Sequence, residues 1–351
     1  MATKSTDNTM PAKSDDLIKL SILCITYNHE TFIRRALDSM LMQRADFNIE
    51  IIIGEDCSTD RTREICIEYQ RQHPEIFKLL LNENNIGMIA NFIQALKVCR
   101  GKYVALLEGD DYWTDPYKLQ KQVDFLDANP DYVMCHHRYY NARNNKKTNL
   151  SYDINDTISV EDLAAGNQIK TLTCVFANIL KELPEWYLYS PVGDYPLFML
   201  LAQYGKIKFF DEPMAVHNMH HHGEWNKQGL REQLETIITV KELMYNRADF
   251  SENVRLILLK SLLDDNLDLV RELIKCEQTD EIPSILAKVE KNYSKRDLIE
   301  KLHLCQQEII RIEKRIRGTY SFRIGKFFTK NLRKLHYPKA IAQPESKANR
   351  R

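Results

Sequence analysis

The first 140 residues alternate between two periodicities. Apolar runs at LSILCIT (20–26), NIEIIIG (48–54), IFKLLL (76–81), KYVALL (102–107) and DYVMCHH (131–137) have the length and β-forming content of strands buried on both faces. Between them, ETFIRRALDSMLMQ (30–43), STDRTREICIEYQRQ (58–72), MIANFIQALKVC (88–99) and DPYKLQKQVDFLDANP (115–130) repeat apolar residues three and four apart, as a helix with one buried face requires. A capping serine or threonine is expected to open the second helix, and Asn-Pro to close the fourth. Strands alternating with helices predict an α/β fold: a mainly parallel sheet flanked by helices.

The pattern becomes sparser from 139 to 185, where TLTCVF (171–176) reads as a further strand. Beyond Asn226 it turns helical, in LREQLETIITVKELMYNR and ENVRLILLKSLLDDNLDLVRELIKC. Leu298, Leu302, Cys305, Ile309, Ile312 and Ile316 then step by four and three, a heptad seam that suits either a homodimer or docking on the chain's own helices. The organisation expected is a flexible start at 1–16, an α/β domain at 17–226, a C-terminal helical extension at 227–316 and a tail at 317–351.

Composition narrows the class. With 351 residues, 44% hydrophobic and 28% charged, the chain can bury a large core. No apolar stretch reaches the roughly 20 residues that cross a bilayer, and the polar N-terminus lacks a signal-peptide core. A cytoplasmic protein is expected. Eight cysteines occur without a C-x-x-C pair and several sit in apolar runs, which suggests reduced, mostly buried thiols.

The net charge of zero conceals a basic tail on an acidic body. Nine Lys and Arg and no acid lie between Lys314 and Pro344. On a helix, Phe322, Ile324, Phe327, Phe328, Leu332 and Leu335 form an apolar sector beside those cations, so 317–335 suits an anionic membrane surface. No nucleic acid is expected as a partner.

Candidate chemistry gathers at one type of place. Thr26, Tyr27 and Asn28 follow the first strand, and Glu55, Asp56, Ser58, Thr59 and Asp60 the second. Asn84, Asn85 and Gly87 follow the third; Glu108, Asp110 and Asp111 follow the fourth. Ligands of parallel sheets bind beyond the carboxyl ends of strands, so these clusters predict one binding rim. Neither G-x-G-x-x-G nor G-x-x-x-x-G-K-[ST] is present, so phosphates would be held differently. Three carboxylates at 108–111 repel one another unless solvated or neutralised, and Mg2+ or Mn2+ shared with phosphate oxygens would relieve them. The histidines at 217 and 220–222 lack cysteine partners, which argues against zinc.

The series ILCITYNHE, IIIGEDCSTDRT, NENNIGMIANFIQAL and CRGKYVALLEGDDYW, over about residues 19–225, resembles the inverting family 2 glycosyltransferases with their GT-A fold. The resemblance implies a nucleotide diphosphate sugar as donor, a glycan or lipid-linked acceptor, a divalent metal and a role in bacterial surface-polysaccharide synthesis, peripheral to the inner face of the membrane. It also implies that Thr26, Asn28, Glu55, Asp56, Asn85 and Gly87 bind the nucleotide. Glu108-Gly109-Asp110 matches a D-x-D element, with Asp111 and His220 as further metal contacts and Asp110 as the direct ligand. Asp194, in PVGDYPLFMLL, matches the catalytic base; from spacing alone it reads first as a helix cap, and it is the resemblance that favours the base. His217 and Asn218 replace a Tyr-Arg pair, so the arginine that would face the diphosphate is missing. Tyr139, Tyr140, Trp186, Tyr187 and Tyr189 could stack on sugars or pack the core, and His136 and His137 could face the acceptor or be packed.

Two other classes share parts of this pattern. A sugar-nucleotide nucleotidyltransferase would need a glycine- and lysine-bearing loop after the first strand, which TYNHETFIRR does not provide. A non-catalytic nucleotide-sugar-binding protein would not need Asp194.

Overall fold

A computed structural model of the chain describes residues 17–143, 146–149, 155–180, 182–220 and 223–292. The expected loose start at 1–16, heptad seam at 298–316 and basic segment at 317–335 lie outside them.

The expected alternation is present: β1 (Leu20–Thr26), α1 (Ile33–Leu41), β2 (Ile49–Glu55), α2 (Thr62–Gln72), β3 (Phe77–Leu81), α3 (Met88–Val98), β4 (Tyr103–Leu106), β5 (Tyr112–Trp113), α4 (Lys118–Ala128) and β6 (Tyr132–Arg143). Short strands β7 (Lys146–Asn149) and β8 (Thr157–Ile158), α5 (Val160–Ala165), β9 (Val175–Ala177), α6 (Asp194–Leu201) and β10 (Lys206–Asn218) follow. The remaining helices are α7 (Glu224–Lys227), α8 (Leu230–Arg247), α9 (Glu252–Lys275) and α10 (Ile282–Asn292).

The strands form one sheet in the order β3-β2-β1-β4-β9-β6-β10-β5, with β7 on β6 and β8 on β10. β3, β2, β1 and β4 are parallel; β9 runs against both β4 and β6, and β10 is parallel to β6. Six strands therefore point one way, and the short β5, β7, β8 and β9 point back. Alternation along β1 and β2 feeds both faces. Leu20, Ile22, Cys24, Ile51 and Ile53 join one core with Ile33, Leu37, Ile65 and Val123 from α1, α2 and α4. Leu23 and Ile52 join the other, with Phe92, Leu197, Phe198, Leu201 and Met244 from α3, α6 and α8. Burying these side chains, at about 25 cal/mol per Å2, is the main force holding the layers together.

The chain divides into two compact units, 1–265 and 266–351, so the first runs past the change in composition at Asn226. Val240, Met244, Phe250, Val254 and Leu258 belong to the same core as the sheet, which is why α8 and the start of α9 stay with it. In the second unit, Leu273, Ile282, Leu286 and Val289 are buried.

Two local expectations are corrected. α2 begins at Thr62 without a capping serine or threonine: Asp60 Oδ1 accepts from the Thr62 N–H at 2.9 Å, while the Ser58 hydroxyl accepts from the Asn28 N–H and Thr59 donates to Asn28 Oδ1. TLTCVF is a strand only from Val175; Thr171–Thr173 form a 3-10 turn. Among the described residues no helix is long and apolar enough to cross a membrane, and all seven cysteines are free, five of them buried.

Candidate active site

One rim of the sheet collects the expected residues, because β1, β2, β4 and β10 all end there. β9 contributes for the opposite reason. Being antiparallel, with Ala105 opposite Val175, it starts where β4 finishes, and its preceding turn stands beside Glu108.

On one side of the rim the polar side chains mostly hold loops. Asn28 has the left-handed φ of 55°, which asparagine tolerates, and its Oδ1 accepts from the Thr59 N–H at 2.8 Å. Glu55 is wholly buried, accepts from the Ser58 N–H at 2.6 Å and pairs with Arg63. Both oxygens of the buried Asp56 are engaged. Oδ1 accepts from Asn82 Nδ2 and the Ile86 N–H, and Oδ2 from the Gly87 N–H, each at 2.9 Å. Asn85 Oδ1 accepts from the same Gly87 N–H at 3.1 Å. Gly87, at φ 86°, then opens α3. Thr26 is buried, with Oγ1 3.2 Å from His29 Nδ1.

The acidic motif occupies the centre. Gly109 lies so close to the β1–α1 loop that a Cβ there would stand 2.5 Å from Thr26 Oγ1 and 2.9 Å from His29 Nδ1. Only glycine fits. Burial, then Asp110, then Asp194 push the Glu108 carboxyl up to about 8. Asp111 is likewise raised, by burial and by Asp110 and Glu108, although its Oδ1 accepts from the Asn218 N–H at 2.7 Å. Asp110 goes the other way. Burial would raise it, but His220, with Nε2 2.9 Å from Oδ2, and His29, 3.8 Å away, hold it below the usual range. The His220 ring stacks on Phe32 with centroids 4.4 Å apart.

Asp194 is the first residue of α6, and Gly193 precedes it as the cap. A Cβ on Gly193 would crowd the Tyr187 hydroxyl at 3.1 Å. Asp194 Oδ1 accepts from its neighbour's N–H, on Tyr195, at 2.7 Å, and Oδ2 from the Thr171 hydroxyl at 3.4 Å. Burial raises its carboxyl; Lys170, the Tyr195 N–H and Thr171 partly offset this. The same hydroxyl is near enough to Glu108 to oppose the rise of its carboxyl, so Thr171 neighbours both the acidic motif and Asp194.

Sequence reasoning missed Thr171, Lys170, His29 and Phe32. It also missed the residues that hold the 171–173 turn: Trp113 Nε1 donates to the Leu172 carbonyl at 2.8 Å, and Gln122 Nε2 to that of Thr173 at 3.0 Å. The DDYW sequence carried the one available signal, an aromatic with a polar handle directly behind the carboxylates.

Other candidates are not drawn together here. His136 and His137 are each 1% exposed, with protonation suppressed by burial, as befits packed residues. Tyr187 and Tyr139 are buried, whereas Tyr189 is 71% exposed.

A divalent metal fits this donor set in a limited way. Among the described residues, no three His, Cys, Asp or Glu side chains converge to hold an ion. Asp110, held ionised beside two strained acids, suits an ion taking one or two carboxylates and completing its shell with water and substrate phosphate, as Mg2+ commonly does.

Comparison with known proteins agrees with this arrangement. The fold is that of the GT-A glycosyltransferases. Residues 21–183 match the family described as Glycosyl transferase family 2. An uncharacterized protein of Mycobacterium tuberculosis is 39% identical over 224 residues, 59% of this chain and 60% of that protein. A Bacillus subtilis glycosyltransferase named for teichuronic acid biosynthesis is 36% identical over 107 residues, 30% of this chain and 41% of that one. The chain thus spans about 60% of the length of the first of these relatives. Among solved structures, residues 1–349 of Staphylococcus aureus TarS in complex with UDP-GlcNAc match with a TM-score of 0.63 at 20% identity, covering 86% of this chain and 93% of that one. A Pyrobaculum calidifontis mannosyltransferase in complex with GDP-Man and Mn2+ matches with a TM-score of 0.53 at 13% identity, covering 82% and 80%.

Proposed function

We propose that this domain is an inverting, metal-assisted glycosyltransferase that moves a sugar from a nucleotide diphosphate donor to a hydroxyl of a glycan or lipid-linked acceptor in cell-surface polysaccharide synthesis. The observation that carries this reading is the single rim on which Asp194, bonded to Thr171, lies close enough to the Glu108–Asp111 carboxylates to act on Glu108. In the reaction, the acceptor oxygen bonds to the anomeric carbon as its proton passes to an Asp194 oxygen. The bond between that carbon and the diphosphate breaks, and its electron pair leaves with the phosphate. Asp194 suits the role because burial increases its proton affinity. Magnesium or manganese, held by Asp110 with Glu108, Asp111 or His220 nearby, would supply positive charge against the departing diphosphate.

The donor nucleotide is assigned to the β1, β2 and β3 loops. Thr26, Asn28, Glu55, Asn85 and Gly87 line its place, and Asp56 acts chiefly by fixing the 82–87 loop. The teichuronic acid name of one relative supports the polysaccharide role. The basic segment 317–335 is assigned to an anionic membrane surface and the seam at 298–316 to a homodimer.

A panel of UDP- and GDP-sugars, with and without Mn2+, scored for donor hydrolysis and thermal stabilisation tests the central claim. Metal-dependent turnover of at least one donor is expected. No response to any nucleotide sugar, with a response to dinucleotides instead, would sink it. Flotation on anionic vesicles, full length against a chain ending at Arg315, tests the tail.

A further inference from the structure

The rim is crowded with negative charge, yet its proposed donor is itself an anion. The carboxylates at 108–111 and the one at 194 repel a diphosphate wherever they are ionised, and Asp110 is held so. His29 and His220 are already committed to Asp110. A further basic side chain beside them is Lys170, next in sequence to the Thr171 that touches Asp194.

Its backbone is firmly held. The Lys170 carbonyl accepts from the Thr173 N–H at 3.0 Å and from the Thr173 hydroxyl at 2.7 Å, and Trp113 and Gln122 clamp the following turn. The next residue, Thr171, touches Asp194. The half-buried side chain makes no hydrogen bond or ion pair among the described residues, yet its charge is felt by Asp111, Asp194 and His217 together. A half-buried lysine adjoining the threonine that touches Asp194, and near enough to act on the acidic motif as well, has the space between them within its reach. On the proposed reaction that interval holds the bond being broken.

We infer that Lys170 is a donor-binding residue whose ammonium engages an oxygen of the donor diphosphate, supplying positive charge opposite the metal side as the leaving group departs. This rests on the glycosyltransferase reading. A structural salt-balancing role would instead leave nucleotide affinity unchanged.

Isothermal titration of the full-length chain with UDP and GDP in Mn2+, against uridine and guanosine, separates these. Lys170→Met is expected to weaken the preferred nucleoside diphosphate at least tenfold while leaving its nucleoside within twofold, with Lys170→Arg restoring most of the loss. Lys170→Gln serves the same purpose if the methionine variant does not fold. Unchanged diphosphate affinity in a folded variant overturns the inference, as does equal weakening of nucleoside and diphosphate. Absence of binding by the wild-type protein to either diphosphate is a different failure: it removes the glycosyltransferase reading, and this inference with it.

Discussion

His220 Nε2 lies 2.9 Å from Asp110 Oδ2 while its ring stacks on Phe32, so one side chain both orients the carboxylate and fixes its charge. On the proposed function, an imidazole in this position would act on a metal through the ligand it supports. Replacing such a partner commonly costs about 10–100-fold in metal affinity or activity. His220→Ala is therefore expected to raise the Mn2+ concentration needed for half-maximal turnover by about that factor. Asp110 would lose the group that holds it ionised, so the acid limb of the pH–rate profile should move to higher pH. Kinetics across pH and Mn2+ concentration measure both.

Asp194→Asn removes the proton acceptor but keeps the shape and the Tyr195 N–H contact. Turnover should fall by about 10^2–10^4, with donor KM little changed. Thr171→Val is milder: its hydroxyl lowers the proton affinity of Asp194, so removal should shift the acid limb upward with about a tenfold loss at neutral pH. Transfer kinetics distinguish the two variants.

Asp56 gathers Asn82, Ile86 and Gly87, and removing its carboxylate would orphan buried donors at about 1–3 kcal/mol each. Asp56→Ala is expected to lose several kcal/mol of stability and to open the 82–87 loop to protease. Denaturant titration and limited proteolysis would register this.

Lys118 is fully buried, donates to Gln122 Oε1 at 2.7 Å and lies 4.3 Å from the Trp113 ring. Burial pushes its ammonium down to about 7 from the ordinary 10.5. Between those values the unfolded chain binds the extra proton, so this group makes stability rise with pH over about 7–10.5. The slope is at most about 1.4 kcal/mol per pH unit, and below 7 the full cost of burying the charge is present. Lys118→Met should flatten that window and raise Tm most at pH 6 to 7, as calorimetry across pH would show.

Strands and helices were legible wherever apolar runs were long: Ile51–Ile53 and Leu20–Leu23 can only be buried, and burial from both sides implies helices on both faces. Glu108, Asp110, Asp111 and Asp194 were legible from charge and motif. Thr171 and Lys170 were not. They carry no local pattern, and they reach the rim only because β9 pairs in reverse with β4, a long-range relationship that no short window contains. Asp56 was found but read as a ligand contact, because its pairing with the amides of residues 86 and 87 appears only once the loop folds back. Ser58 resembles a helix cap for the same reason: only the fold brings Asn28 to it.

The reversal of β9 has an outcome for how this scaffold can diversify. The chain departs from β6 at Arg143 and returns at Lys170, whose neighbour Thr171 touches Asp194. On the proposed function, exchanging the exposed parts of the intervening stretch while keeping Ile158, Leu163 and Ile169, which share a core with Leu23 and Ile52, would alter what is admitted from the acceptor side and leave the donor half built by β1, β2 and β4. Chimeras swapped between these two points should keep their sugar and change their product.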